Sequence, residues 1–202
     1  EQDPYSNRGS RFDKTILHDG SVVSGCPTGI NIHYDPATGT YPTSSLNNNN
    51  RSFGIAWGSN DSKGYSNTGY YVNKLWNGQL GTSAAHQHTD PLIRMAELYL
   101  NYAEAVAELG TITQNDLEIS VNLIRKRAKM TGIDLTKADA SPDPYLLECY
   151  PNVTKSAHTG VILEIRRERT VELVMEPPYR SWDLFRWNEC KQALNHLSLI
   201  HI

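Results

Sequence analysis

The chain has 202 residues, 39% hydrophobic and 20% charged, which sits in the ordinary globular range and excludes wholesale disorder. A formal net charge of -3 provides no basic field for a phosphate backbone, so nucleic acid is excluded as a partner. No apolar run approaches the roughly 20 residues that cross a bilayer. The chain opens on Glu1, Gln2 and Asp3 with neither a signal peptide nor an initiating Met, which implies a processed or truncated N-terminus.

Residues 1–89 are rich in Gly, Asn, Ser, Thr and Tyr, with turn signals at Asp19-Gly20, Asp35-Pro36, Thr38-Gly39 and Asn77-Gly78. Residues 14–18 and 21–24 flank Asp19-Gly20 and predict a two-residue hairpin; residues 70–76 predict a further strand. The polar run 47–50 reads as an exposed loop. So long a stretch with so little regular structure is usually functional when ordered. We therefore read 1–89 as a loop-rich, ligand-facing region.

After residue 89 the period becomes helical. Asp90 is placed to cap and Pro91 to begin a helix, along which Leu92, Met95 or Ala96, Tyr99, Ala103 and Val106 form one apolar stripe that Gly110 ends. A second helix is predicted with Asn115 as its cap and Glu118 three residues on. Its stripe is Leu117, Val121, Ile124 and Ala128, its last turns are basic, and Gly132 stops it. The short linker makes the two helices an antiparallel hairpin. Residues 133–158 read as a connection with one short helix near 144–149. A third long helix spans about 159–176, ended by Pro177-Pro178. A fourth spans about 179–197, and its density of Trp182, Leu184, Phe185, Trp187 and Leu194 predicts burial on more than one side. Cys26, Cys149 and Cys190 are odd in number and widely spaced, so neither a disulfide framework nor a zinc site is indicated.

The segment 91–105, PLIRMAELYLNYAEA, resembles the signature helix of the SusD/RagB family of outer-membrane nutrient-binding proteins. The stretch 122–128, NLIRKRA, is similar to the helix that follows in that family. A third signature is matched by 165–169, IRRER, together with Glu172, Leu173, Arg180, Asp183, Leu184, Arg186 and Trp187. Arg11, Phe12, Thr15 and Ile16, and then Thr68 to Tyr71 with Lys74, fit the family's middle region. The resemblance implies a mainly α, SusD-like fold in which tetratricopeptide-like helical hairpins (90–195) carry a loop-rich region with short strands. The chain departs from the pattern at Glu176-Pro177-Pro178-Tyr179-Arg180, one residue longer than usual and without the glycine, which implies a reshaped turn. Residues 196–202 do not resemble the family and read as a non-native tail, 197–202 looking like translated adapter sequence, and the chain reads as a single-domain fragment truncated at both ends.

Glu168, Glu172 and Glu176 share one helix face, and like charges at that spacing demand a cationic answer. We expect a structural ion-pair network with Arg180, Arg186 or Arg94 rather than catalytic carboxylates, which would face each other across a cleft. His86 and His88 lack a third metal ligand and read as loop histidines. Residues 60–64 hold oxygen donors but not a full calcium ladder, so a plain turn is preferred. No GxSxG, HExxH, Walker A or GxGxxG pattern occurs. The candidate ligand-binding residues are Trp57, Tyr65, Tyr41 and Tyr34, with Asn60 and Asp61. Flat rings suit the C–H face of a pyranose, while amide and carboxylate groups suit its hydroxyl rim. Alternatively, these rings pin the loops to the helical body. Trp76, Tyr70, Tyr71, Trp182 and Trp187 are assigned to packing.

The resemblance implies non-catalytic oligosaccharide binding at the bacterial cell surface, with no cofactor and no metal. It further implies a SusC-like TonB-dependent transporter as partner, and membrane attachment only through an N-terminal lipid anchor that this fragment lacks. A peptide or another nutrient bound on the same scaffold is the alternative, and a glycoside hydrolase is less favoured.

Overall fold

The computed structural model describes residues 5, 8–18, 20–22, 70–74, 91–176 and 179–193, with Tyr71 described by its backbone alone. The chain forms two compact units, residues 1–90 and 91–202.

In the first unit, α1 (Ser10–Thr15) runs directly into β1 (Ile16–Leu17). β1 pairs antiparallel with β2 (Tyr71–Val72), Ile16 opposite Val72 and Leu17 opposite Tyr71. The hairpin expected across Asp19-Gly20 is not seen among the described residues, and residues 19, 23 and 24 lie outside them. A turn does form, with the Ser21 amide donating to the His18 carbonyl at 3.0 Å and Gly20 at φ 81°. One edge of β1 is taken by a strand far along the chain, and Lys14 and Thr15 are helical. Leu17 is fully buried, and His18 stacks on Tyr5 at 3.8 Å. The strand expected over 70–76 is seen at residues 71 and 72, and its last two residues lie outside the described set.

The second unit is largely helical. α2 (Met95–Glu108) begins later than Asp90-Pro91 suggested. Arg94 stays extended at φ -119°, ψ 148°, and its guanidinium is committed to Glu172 and Glu176, so helical geometry starts only after it. Leu92 is left 89% exposed, and the true stripe is Ala96, Leu100, Ala103 and Ala107. The helix ends as expected at Gly110 (φ 73°). The Gly110 and Thr111 amides donate back to the Ala107 and Val106 carbonyls in a left-handed C-terminal cap.

The expected second helix is two helices, α3 (Gln114–Glu118) and α4 (Val121–Arg127). Thr113, not Asn115, is the cap, and Asp116 completes a reciprocal capping box with it. Buried Ser120 breaks the run at φ -132°, ψ -102°, its hydroxyl donating to the Asp116 carbonyl. The predicted stripe of Leu117, Val121, Ile124 and Ala128 is buried. Lys129 (φ 56°), rather than Gly132, takes the left-handed position that closes α4. Gly132 instead leaves room for Asn122, whose amide bonds the Ile133 backbone in both directions.

Residues 133–158 hold two short helices rather than one. α5 (Leu135–Ala140) is capped by Asp134, and α6 (Pro144–Cys149) by Asp143 with Pro144 in its first turn. α7 (Thr159–Glu172) packs against α2, α5 and α6 and supplies much of the core through Val161, Ile162, Leu163 and Ile165. Asp139 of α5 caps α7 from outside, accepting the Val161 amide at 2.9 Å and meeting His158 Nδ1 at 2.7 Å. Gly160 permits this seam, because a Cβ there would drive into the Ala138 carbonyl. α8 (Tyr179–Arg186) follows. Tyr179 meets Glu97, Asp183 shares Arg169 with Asn101, and Arg186 meets Glu104, so α8 runs parallel to α2 and antiparallel to α7. This is the stacked helical hairpin architecture expected. Burial of α8 on several sides is not seen: Trp182 and Phe185 are 64% and 69% exposed, Trp187, just beyond the helix, is the one buried apolar residue of the expected set among those described, and Leu194 lies outside them. The left-handed Asn188 (φ 57°) ends that run.

Candidate functional site

Trp57, Tyr65, Tyr41, Tyr34, Asn60 and Asp61 all lie outside the described residues, as do His86, His88, Cys26 and Trp76. Cys149 and Cys190 are free thiols, both half-buried. Among the described residues no three metal-binding side chains cluster, and no helix is long and apolar enough to cross a membrane.

The helical unit brings together two carboxylates of α7, Glu168 and Glu172, and Glu176, which lies just beyond the helix rather than within it as expected. Glu172 is held by Arg127 at 2.5 Å and Arg94 at 3.2 Å, Glu176 by Arg94 at 2.6 Å, and Glu168 by Arg125 at 3.1 Å. The row is thus an ion-pair lattice, as its spacing demanded, but only Arg94 of the three expected cations takes part. Arg186 turns instead to Glu104 (2.6 Å) and Asp183 (2.9 Å). Arg180 meets only hydroxyls: its Nη1 donates to Thr170 Oγ1 at 3.0 Å and to the Tyr150 oxygen at 3.3 Å. Arg125 and Arg127 were missed, because a basic run in a last helical turn reads first as complementing the helix dipole.

A second buried lattice joins α2, α7 and α8. Glu104 accepts from Arg186 and, at 2.5 Å, from Trp187 Nε1, while Arg169 pairs with Asp183 at 2.6 Å and donates to Asn101. Burial by itself would raise the Glu104 carboxyl, but the hydrogen bonds from Arg186 and Trp187 hold it below the usual carboxylate range. Glu172 behaves alike: burial raises it, and Arg127 and Arg94 pull it down further. A general acid at neutral pH needs the opposite shift. Arg166, only 3% exposed, donates to Glu108 and lies over the Trp187 ring at 4.8 Å, its Nε and Nη1 unpartnered.

The site that the sequence reading missed is a groove of about 600 Å³ between α6, α7 and α8. Tyr145, Tyr150, Arg167, Thr170, Arg180 and Leu184 line it. Thr170 and Arg180 are shared with a second hollow of about 510 Å³ along the end of α7. Tyr145 is 66% exposed and offers its ring to solvent. These residues come from a segment read as a connection and from two separate helices, and no local pattern joins them.

The family model described as "SusD family" matches residues 1–200. A solved structure of a SusD-like carbohydrate binding protein from Bacteroides fragilis is similar to the chain, with a TM-score of 0.57 and 24% identity over 91% of this chain. It covers 29% of that protein, so the chain spans under a third of the length of the solved relative. No curated protein matches.

Proposed function

The chain belongs to the SusD family, and from that premise we propose that the protein binds oligosaccharide without catalysis at the bacterial outer surface and delivers it to a SusC-like TonB-dependent transporter. The observation that carries this reading is the family match along residues 1–200, joined to a fold shared with a SusD-like carbohydrate binding protein. The state of the acidic residues supports it. Glu168, Glu172 and Glu176 are buried and answered by arginines, so this row serves packing rather than acid–base chemistry.

In this reading Trp57, Tyr65, Tyr41 and Tyr34 stack on sugar rings, and Asn60 and Asp61 bond hydroxyl groups. Attachment to the outer membrane is through a lipid anchor on the intact protein. Alanine at both Trp57 and Tyr65 in the full-length protein is expected to weaken glycan binding on an array by roughly tenfold or more, about 1.4 kcal/mol. Unchanged binding would remove these residues from the site. Preference for a peptide panel over the glycan array would replace the ligand class while leaving the scaffold assignment intact.

A further inference from the structure

Arginines in the helical unit follow a rule with one exception among the described residues. Arg94, Arg125, Arg127, Arg166, Arg167, Arg169 and Arg186 each meet a carboxylate within ion-pair distance. Arg180 does not. One nitrogen, Nη1, is fixed by the neutral hydroxyls of Thr170 and Tyr150, and its guanidinium carbon lies 5.9 Å from the Tyr150 ring centre. Those contacts hold the side chain in place without cancelling its charge. They leave the edge formed by Nε and Nη2 free, and two parallel N–H groups on one edge match the two oxygens of a carboxylate.

The surroundings suit a sugar that carries such a group. Arg180 lines the groove of about 600 Å³ together with Leu146, Val171, Leu184 and the exposed Tyr145 ring, and it also lines the second hollow. Asp143, the carboxylate in the lining, is already engaged by the Tyr145 amide and by Arg167 at 3.5 Å, so it does not answer Arg180. The buried Arg166 guanidinium, 5.9 Å from the Tyr150 ring centre, is already paired with Glu108 at 3.1 Å.

We infer that the groove between α6, α7 and α8 is a binding site for a uronic acid residue of a glycan, the carboxylate on the free edge of Arg180 and the sugar face on Tyr145. The inference rests on the reading that the protein binds glycans, and adds to it the ligand's charge. Because Arg180 is held before the ligand arrives, little ordering is needed to bind. Because the site lies at the surface, the interaction weakens with salt.

Titration calorimetry of the full chain with a neutral gluco-oligosaccharide and an oligogalacturonate of equal length tests this. The oligogalacturonate is expected to bind more tightly, with a preference that shrinks as salt rises. Arg180→Gln is expected to cut that preference roughly tenfold, about 1.4 kcal/mol, and Arg180→Lys, which keeps charge but loses the fork, by less. Circular dichroism checks that each variant folds. If Arg180→Gln does not, Tyr145→Ala at the exposed rim carries the test and is expected to weaken oligogalacturonate binding severalfold. Tight neutral binding with no uronate preference overturns this inference and spares glycan binding. A uronate preference that survives both variants overturns the groove assignment. Binding of neither sugar overturns both readings together.

Discussion

Helices α7 and α8 invert what their compositions advertise. α7 holds Arg166, Glu168, Arg169 and Glu172 among its residues, and all four are buried. α8 carries Tyr179, Trp182 and Phe185, yet its one buried residue is Asp183. The difference lies in what answers each side chain. α7 is surrounded by α2, α5 and α6, and its charges meet opposite charges on α2, α4 and α8. α8 shows one face to that lattice and turns Trp182 and Phe185 away from it. A buried ion pair organises a helix when each member has a fixed partner, and a large apolar side chain stays exposed when no element is placed to cover it.

The contrast can be broken at its strongest point by Asp183→Ala, which leaves the buried Arg169 without its carboxylate. A loss of about 3–5 kcal/mol in urea unfolding is expected. Replacing both partners, Arg169→Met with Asp183→Leu, is expected to recover much of it, since two apolar groups demand no partner. A loss below about 1 kcal/mol for the single variant would mean that this pair does not hold α8 to α7.

Acid titrates both ion-pair lattices. Glu104 and Glu172 both have folded-state values below the ordinary 4.5. A depressed carboxylate contributes stability that is complete above its unfolded value and disappears as pH falls through the folded one. The melting temperature is therefore expected to be insensitive to these two groups near neutral pH and to decline below about pH 4.5. Replacing Glu104 by Gln should flatten part of that decline, and an unchanged acid limb would exclude Glu104 from it.

Gly160→Ala tests the α5–α7 seam. A methyl group there cannot coexist with the Ala138 carbonyl, so α5 must move, at a cost of about 1–3 kcal/mol. Hydrogen exchange is expected to rise first in residues 135–140, and an undisturbed seam would show that α5 is free to shift. The smallest effect belongs to the outer face of α8. Trp182→Ala or Phe185→Ala is expected to change stability by no more than about 0.5 kcal/mol. Trp187→Ala, removing a buried ring that also donates to Glu104, is expected to cost about 3–5 kcal/mol. Equal losses at Trp182 and Trp187 would erase the distinction drawn between the two faces.

Ala96 and Ala103 on α2, and the full stripe of Leu117, Val121, Ile124 and Ala128, were legible because a helix repeats its buried face every three or four residues, whatever it packs against. Gly110 as a stop and the need for cations opposite Glu168, Glu172 and Glu176 were legible on similarly local grounds, while the stacked helical architecture came from the family resemblance. The point where α2 starts was not: Arg94 is extended because Glu172 at the end of α7 and Glu176 just beyond it hold it there, and no neighbouring residue records that. Nor was the break at Ser120, the pairing of Ile16–Leu17 with Tyr71–Val72, or the exposure of Trp182. The groove around Arg180 was missed for the same reason, since Tyr145, Thr170 and Arg180 meet only when α6, α7 and α8 pack. The candidate rings at Trp57, Tyr65, Tyr41 and Tyr34 rest on local composition alone.

By itself, then, the amino-acid order determined the family, the helical class and the buried stripe that runs through α3 and α4, because these depend on covalent neighbours and short repeats. Which arginine meets which glutamate, where helices break, and which aromatic ring faces water were decided by tertiary structure. Those outcomes depend on distances between residues far apart in the chain, and folding alone sets such distances.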